Sequence, residues 1–211
     1  MNLFNDHEYF STGKPFRKKF ELPDTDLTLI NGFIPKVQAD HYYDLLLHQT
    51  KWREYSMDIY GKTLVAPRMV SWFEDPENAG ADPATPPLTS ELNQIRKLIF
   101  EETGIYFNSV LLNLYRNGRD GVAWHSDKEE NFGRNAVIAS VTFGETRVFK
   151  LRHKTRKDIP VVHIPLQHGS FLLMAGTTQS FWEHQIPKTA KEQLPRINLT
   201  FRQVKRELPA K

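Results

Sequence analysis

Residues 196–202 read Arg196-Ile197-Asn198-Leu199-Thr200-Phe201-Arg202, an unbroken two-residue alternation. On an extended chain Ile197, Leu199 and Phe201 project to one face, while Arg196, Asn198, Thr200 and Arg202 project to the other. Taken alone, this is an antiparallel strand with an apolar inner face and a wet outer one. Two arginines on one face, with an amide and a hydroxyl between them, also form a row suited to gripping a dicarboxylic acid through charge-assisted bidentate pairs.

Working outward from this strand, the chain from Val110 onward is a series of short β-forming runs: VLLNLY, VIASVTF, RVFKLRH, PVVHIPL and SFLLMA, separated by Gly, Asn-Gly and Pro signals. Two helices are expected upstream. The first runs from Asp40, a candidate cap, to Trp52, with Tyr42, Leu45 and Leu46 at helical spacing. The second is TSELNQIRKLIFEETG, where Leu92, Ile95 and Ile99 form a stripe, Thr89 or Ser90 caps the start and Gly104 follows the end. Between them Pro76 to Pro87 holds four prolines and a glycine, which reads as a surface loop too short to link two cores. A pair of helices followed by many short strands predicts a β-sandwich or jelly roll with helices on one side. Residues 1–24 mix aromatic and basic side chains without periodicity and read as an arm that docks on the domain.

The 211 residues, 39% hydrophobic and 25% charged, suffice for one buried core, so residues 1–211 are expected to form a single domain. No stretch approaches the roughly 18 apolar residues of a membrane span, and MNLFNDHEYFSTGKPF lacks the apolar core of a secretory signal. The expectation is a soluble, cytoplasmic chain, or a nuclear one in a eukaryote, with no membrane partner. No long amphipathic heptad argues for a coiled-coil partner, and a monomer is expected. There is no cysteine, which excludes disulfides, zinc fingers, iron–sulfur ligation and thiol nucleophiles; any metal must be held by His, Asp or Glu. The net charge of +3 conceals an uneven division, −5 over residues 1–111 and +8 over residues 112–211. The densest basic run is Arg147, Lys150, Arg152, Lys154, Arg156 and Lys157, so a polyanionic partner is expected at the C-terminal half.

In Trp124-His125-Ser126-Asp127, an imidazole and a carboxylate lie two residues apart and project from the same face of an extended backbone. A distant neutral ligand, with His184 the best candidate, completes a two-His, one-carboxylate facial triad, which leaves open positions on Fe(II) for a cosubstrate and dioxygen. Beside such a triad, the dicarboxylate that suits the arginine row is 2-oxoglutarate.

The Arg196-x-Asn198-x-Thr200-Phe201-Arg202 strand, the His125-x-Asp127 pair with His184, and Asn113-x-Tyr115 together resemble the AlkB family of Fe(II)/2-oxoglutarate-dependent nucleic-acid demethylases. The resemblance extends from about Pro67-Arg68 to Val204, and the arginine strand is its most specific part. It implies a double-stranded β-helix, a cupin-like jelly roll, over residues 107–204, with flanking N-terminal helices and a nucleotide-recognition lid near residues 60–90. It also implies that His125, Asp127 and His184 ligate iron. By the same resemblance Arg196, assisted by Tyr115, binds the distal carboxylate of 2-oxoglutarate, and Arg202 with Asn198 and Asn113 steadies the end that chelates iron.

On the substrate side the resemblance implies Trp72 and Phe73 as stacking platforms for a flipped base, with the His125 ring opposite and Glu129, or else Glu130, meeting its exocyclic amino group. Core packing is the competing reading of both aromatics. Arg68, Lys128, Arg152, Lys154, Lys188 and Lys191 are candidate contacts to the nucleic-acid backbone, joined by Arg156 and Lys157. The implied reaction is oxidative demethylation of 1-methyladenine and 3-methylcytosine type lesions in DNA, with RNA as a further substrate. It uses O2 and 2-oxoglutarate, and releases succinate, CO2 and formaldehyde. The rivals are an oxygenase of the same fold acting on a protein, lipid or small molecule, and a non-catalytic nucleic-acid binding module.

Overall fold

Arg196–Arg202, here β12, lies inside the larger of two antiparallel sheets. The structure is a computed structural model that describes residues 15–59, 62–77, 84–127, 133 and 135–204. The elements before β12 are β1 (Phe16–Phe20), β2 (Asp26–Asn31), α1 (Lys36–Gln49), β3 (Arg53–Ile59), β4 (Lys62–Glu74), α2 (Ser90–Thr103), β5 (Ser109–Tyr115) and β6 (Val122–His125). They continue with β7 (Ile138–Gly144), β8 (Arg147–His153), β9 (Val162–Leu166), β10 (Ser170–Ala175), the single turn α3 (Thr178–Phe181) and β11 (Trp182–Ile186). The larger sheet runs β1-β2-β10-β7-β12-β5-β4-β3 and the smaller β6-β11-β8-β9, so the expected jelly-roll architecture is present.

Every residue of β12 is buried, so the plain alternative of a strand with a wet outer face does not apply and the polar row lies inside the protein. Its apolar face, Ile197, Leu199 and Phe201, packs with Val110, Leu112 and Leu114 of β5 and Val141 and Phe143 of β7 beneath the helical residues Tyr42, Leu46, Leu92, Ile95 and Ile99. Its polar face turns inward, toward a pocket that the smaller sheet closes with Val122, Phe149 and Ile186. A second apolar cluster, with Leu27, Leu29, Leu151, Ile164 and Trp182, joins the two sheets around that pocket.

The second helix begins and ends as expected: the Thr89 hydroxyl accepts from the Leu92 amide and Gly104 adopts the left-handed conformation at its end. The first does not. It starts at Lys36 after Pro35, whose fixed φ of −56° suits a helix entry, and Asp40 lies within it, paired with Lys36. It stops at Gln49, and Trp52 lies outside with its indole N–H bonded to the Leu47 carbonyl. The N-terminal arm includes an edge strand, β1, paired with β2. Residues 62–74 of the expected lid are the long strand β4, paired with β3 and β5, so the sheet extends into that region.

Arg147, expected on the basic surface, is 3% exposed. Its guanidinium donates to the carbonyls of Asn117, Asp120 and Pro187, tying two loops at one end of the barrel. Among the described residues no helix is long and apolar enough to cross a membrane.

Candidate active site

Strands β6 and β11 place His125 directly opposite His184, with ring centroids 4.3 Å apart. Asp127 follows β6 rather than lying on it, yet ligand atoms of His125, Asp127 and His184 fall within 4.8 Å of one another. The His125 Nδ1 atom lies 2.9 Å from the Ala123 carbonyl, which can only accept; Nδ1 therefore donates there, and Nε2 is the nitrogen left to face a metal. His184 is stacked on Phe149, and burial, reinforced by His125, pushes its pKa down to about 3, so it is neutral at pH 7. Burial works against the charge of Asp127, but Arg202, His184 and His125 outweigh it and hold the carboxyl below its ordinary value. Two imidazoles and one carboxylate are a donor set suited to Fe(II).

Arg202 does not stand free at the end of the row. Its Nε and Nη2 donate to the two carboxylate oxygens of Asp127 at 3.0 and 3.3 Å, so it holds the carboxylate of the triad. Arg196 is 1% exposed, faces the Tyr115 ring at 5.2 Å and spends only Nη2, on Thr142 Oγ1 at 2.9 Å and Asn198 Oδ1 at 2.8 Å. Its Nε and Nη1 have no hydrogen-bond partner among the described residues. Burial lowers its pKa to about 10, which leaves it a cation at pH 7. A buried guanidinium with two donors unpaired among the described residues is chemically suited to an anion such as a carboxylate.

Asn198 is the hub that aligns this row. Its Oδ1 accepts from Arg196 and from Ser140 Oγ at 3.0 Å, and its Nδ2 donates to Thr200 Oγ1 at 2.9 Å. Asn113 sits opposite Asn198 on β5 and accepts from Arg68 Nε at 2.8 Å. Arg68, expected at the nucleic-acid backbone, instead lines this pocket. Ser140 and Thr142 were not singled out in the sequence, although the alternation of VIASVTF puts both on one face. Arg202→Asp127 and the part played by Gln179, whose side chain accepts from the Asp127 amide, had no local signal, because each joins residues more than 50 positions apart.

The two aromatic candidates divide. Trp72 pairs across the sheet with Leu111, a pocket residue, and its indole N–H donates to Glu74 Oε1. Phe73 points the other way and belongs to the core with Val110 and Leu92, so core packing takes it out of the stacking pair. Lys128, Glu129 and Glu130 lie outside the described residues. Among the expected phosphate contacts, Arg152 is matched by Glu183 and lies over the Trp124 ring at 4.4 Å. Lys154 Nζ is turned inward onto the Gln179 carbonyl, and Arg156 pairs with Asp158. Lys188 and Lys191 are exposed in the segment before β12.

The metal-free chain is expected to lose stability as the pH falls below about 6.5. His184 in the unfolded chain titrates near 6.5 but in the folded chain only near 3. Between these values the unfolded state takes up a proton that the folded state resists; the contribution is complete above 6.5 and is lost progressively toward 3. Asp127, also lowered, adds a loss in the same direction once the pH falls below 3.8. Unfolding midpoints measured across this range should fall less steeply for His184→Gln, and parallel curves for the two chains would contradict the assignment.

Residues 26–202 match the family model of the 2OG-Fe(II) oxygenase superfamily. The chain is 38% identical over 192 residues to alpha-ketoglutarate-dependent dioxygenase alkB homolog 3 of Bos taurus, covering 83% of this chain and 65% of that protein. It is 33% identical over 229 residues to DNA oxidative demethylase ALKBH2 of Arabidopsis thaliana, covering 92% of this chain and 71% of the relative. The solved structure of OsALKBH1 superposes with a TM-score of 0.61 at 16% identity, over 88% of this chain and 99% of that one, a likeness of fold.

Proposed function

From the premise that this chain belongs to the AlkB family of the 2OG-Fe(II) oxygenase superfamily, we propose that it demethylates alkylated bases in nucleic acid by oxidation. The observation that carries the reading is the pairing, in one pocket, of the His125–Asp127–His184 cluster with a buried Arg196 whose Nε and Nη1 have no hydrogen-bond partner among the described residues. When bound, iron, 2-oxoglutarate and dioxygen supply the oxidation of an N-methyl C–H bond, giving a hydroxymethyl group that leaves as formaldehyde beside succinate and CO2. The protein's part is to position and shield. His125 and His184 present imidazole nitrogen donors, and Arg202 fixes the plane of the Asp127 carboxylate. Arg196 orients the cosubstrate by its remote carboxylate, and Phe149, Val122, Ile186 and Met174 keep water from the reacting end.

The methylated base is proposed to stack on Trp72, held in place by its bond to Glu74, with Glu129 meeting the exocyclic amino group. Lys188 and Lys191 are proposed to contact phosphates. The relatives named as DNA oxidative demethylases support methylated DNA as the substrate class; within it we propose lesions of the 1-methyladenine and 3-methylcytosine type, acted on by a monomer in the nucleus or cytoplasm.

The test is anaerobic loading with Fe(II) and 2-oxoglutarate, followed by admission of air in the presence of an oligonucleotide carrying 3-methylcytosine, either single-stranded or duplex. Succinate and formaldehyde are expected in equal amounts and only with the methylated strand. Iron and 2-oxoglutarate binding without lesion-stimulated turnover would move the assignment to another substrate class; no iron binding would leave a non-catalytic module.

A further inference from the structure

Asp127 is the one member of the metal cluster that no strand holds, since β6 ends at His125. Its backbone N–H therefore has no ladder partner, and the acceptor comes from 52 residues away: Gln179 Oε1, at 3.0 Å. Gln179 is 2% exposed and is held on three sides. Its Nε2 donates to Met174 Sδ at 3.7 Å, its carbonyl accepts from Lys154 Nζ at 2.8 Å, and its neighbour Thr178 is bonded to Thr25 and to the Asp26 amide. The amide can sit only one way round. A backbone N–H is always a donor, so oxygen must face Asp127; the flipped rotamer would oppose two donors at a buried site.

Asp127 is thus gripped twice. Arg202 sets the plane of its carboxylate, and Gln179 sets the main chain from which that carboxylate extends. We propose that Gln179 is a positioning residue that presets Asp127 for metal capture. It acts through Asp127 and touches neither metal nor substrate. The inward-turned Lys154 is part of the same support: by binding the Gln179 carbonyl it anchors the short turn α3 between β10 and β11. A ligand held in place before the metal arrives loses little freedom on binding; the same ligand on a slack loop must be ordered by the metal itself, at the expense of affinity.

The inference rests on reading His125, Asp127 and His184 as the metal site, and its test separates the two. Mn(II), which is redox-inert here, is titrated into the metal-free full chain and free Mn(II) is followed by electron paramagnetic resonance. Gln179→Leu, which removes the acceptor at similar volume, is expected to weaken Mn(II) binding about 10- to 100-fold. Gln179→Glu, which keeps an oxygen at the same reach, is expected to bind within a few-fold of the unchanged chain. Gln179→Asn, polar but one methylene short, should resemble the Leu variant and serves if the latter does not fold; unfolding midpoints of each accompany the titration. Mn(II) binding that is lost in His184→Ala but indifferent to Gln179→Leu and Gln179→Asn overturns the proposal alone. No binding by the unchanged chain overturns the metal site, and this proposal with it.

Discussion

Asp127→Asn is expected to reduce turnover by about three orders of magnitude or more, the largest effect of any single change in the site. The substitution preserves shape and removes only charge, but that charge serves two partners. It is the anionic member of the metal cluster, and it neutralises Arg202, whose side chain, like that of Asp127, is 9% exposed. With a neutral amide in its place the metal loses its one anionic donor, and several kcal/mol of lost stabilisation corresponds to a thousandfold at roughly 1.4 kcal/mol per decade. The guanidinium of Arg202 is then left buried without its counter-charge, a loss of about 3–5 kcal/mol in comparable cases. Two measurements check this: Mn(II) affinity of the metal-free chain, expected to collapse, and its unfolding free energy, expected to fall. A variant that keeps wild-type metal affinity would show that the carboxylate belongs to Arg202 alone.

Arg196→Lys is expected to raise the 2-oxoglutarate concentration at half-maximal turnover by about 100-fold while leaving the charge unchanged. A lysine offers a point charge in place of a planar fork. It also cannot keep the bonds of Arg196 Nη2 to Thr142 and Asn198 while presenting two parallel donors to a carboxylate. Truncating one side of a buried, hydrogen-bonded charge pair costs about 2–5 kcal/mol, and 100-fold, about 2.8 kcal/mol, lies in the lower part of that range because the charge is kept. The readouts are cosubstrate affinity for the Mn(II)-loaded chain without nucleic acid, and the concentration dependence of succinate release. Metal affinity in the absence of cosubstrate should not change. Unaltered dependence on 2-oxoglutarate would remove Arg196 from the cosubstrate site.

These two effects share a cause. Arg196 and Arg202 lie on one face of one strand, six residues apart, and look equivalent in sequence, yet their surroundings give them different work. Arg202 meets the carboxylate of Asp127 and is satisfied within the protein; Arg196 meets no carboxylate among the described residues, lying against the Tyr115 ring and donating from Nη2 to a hydroxyl and an amide oxygen. The resemblance assigned both to the cosubstrate, and only the geometry separates them.

The sequence by itself determined what depends on local periodicity and residue chemistry. Alternation over 196–202 predicted a strand and its two faces, the Thr89 and Gly104 signals predicted both ends of α2, and the absence of cysteine restricted any metal to His, Asp or Glu, among which the His125-x-Asp127 spacing and the family resemblance pointed to His125, Asp127 and His184. Tertiary structure decided what covers each face and what meets across long separations. A period of two tells which side chains share a face but not whether that face meets water or a second sheet, so alternation alone left the polar side of β12 open between a wet face and a binding row, and packing made it a pocket wall. Phe73 and Trp72 are adjacent in sequence and opposite in fate for the same reason: one turns under the helices, the other toward the pocket side. The His125–His184 register, the hold of Arg202 on Asp127 and the reach of Gln179 to the Asp127 amide join residues 52 to 75 positions apart. No short-range pattern encodes such contacts, because they arise only when strands distant in sequence pair and the two sheets with their connecting turns pack around one pocket.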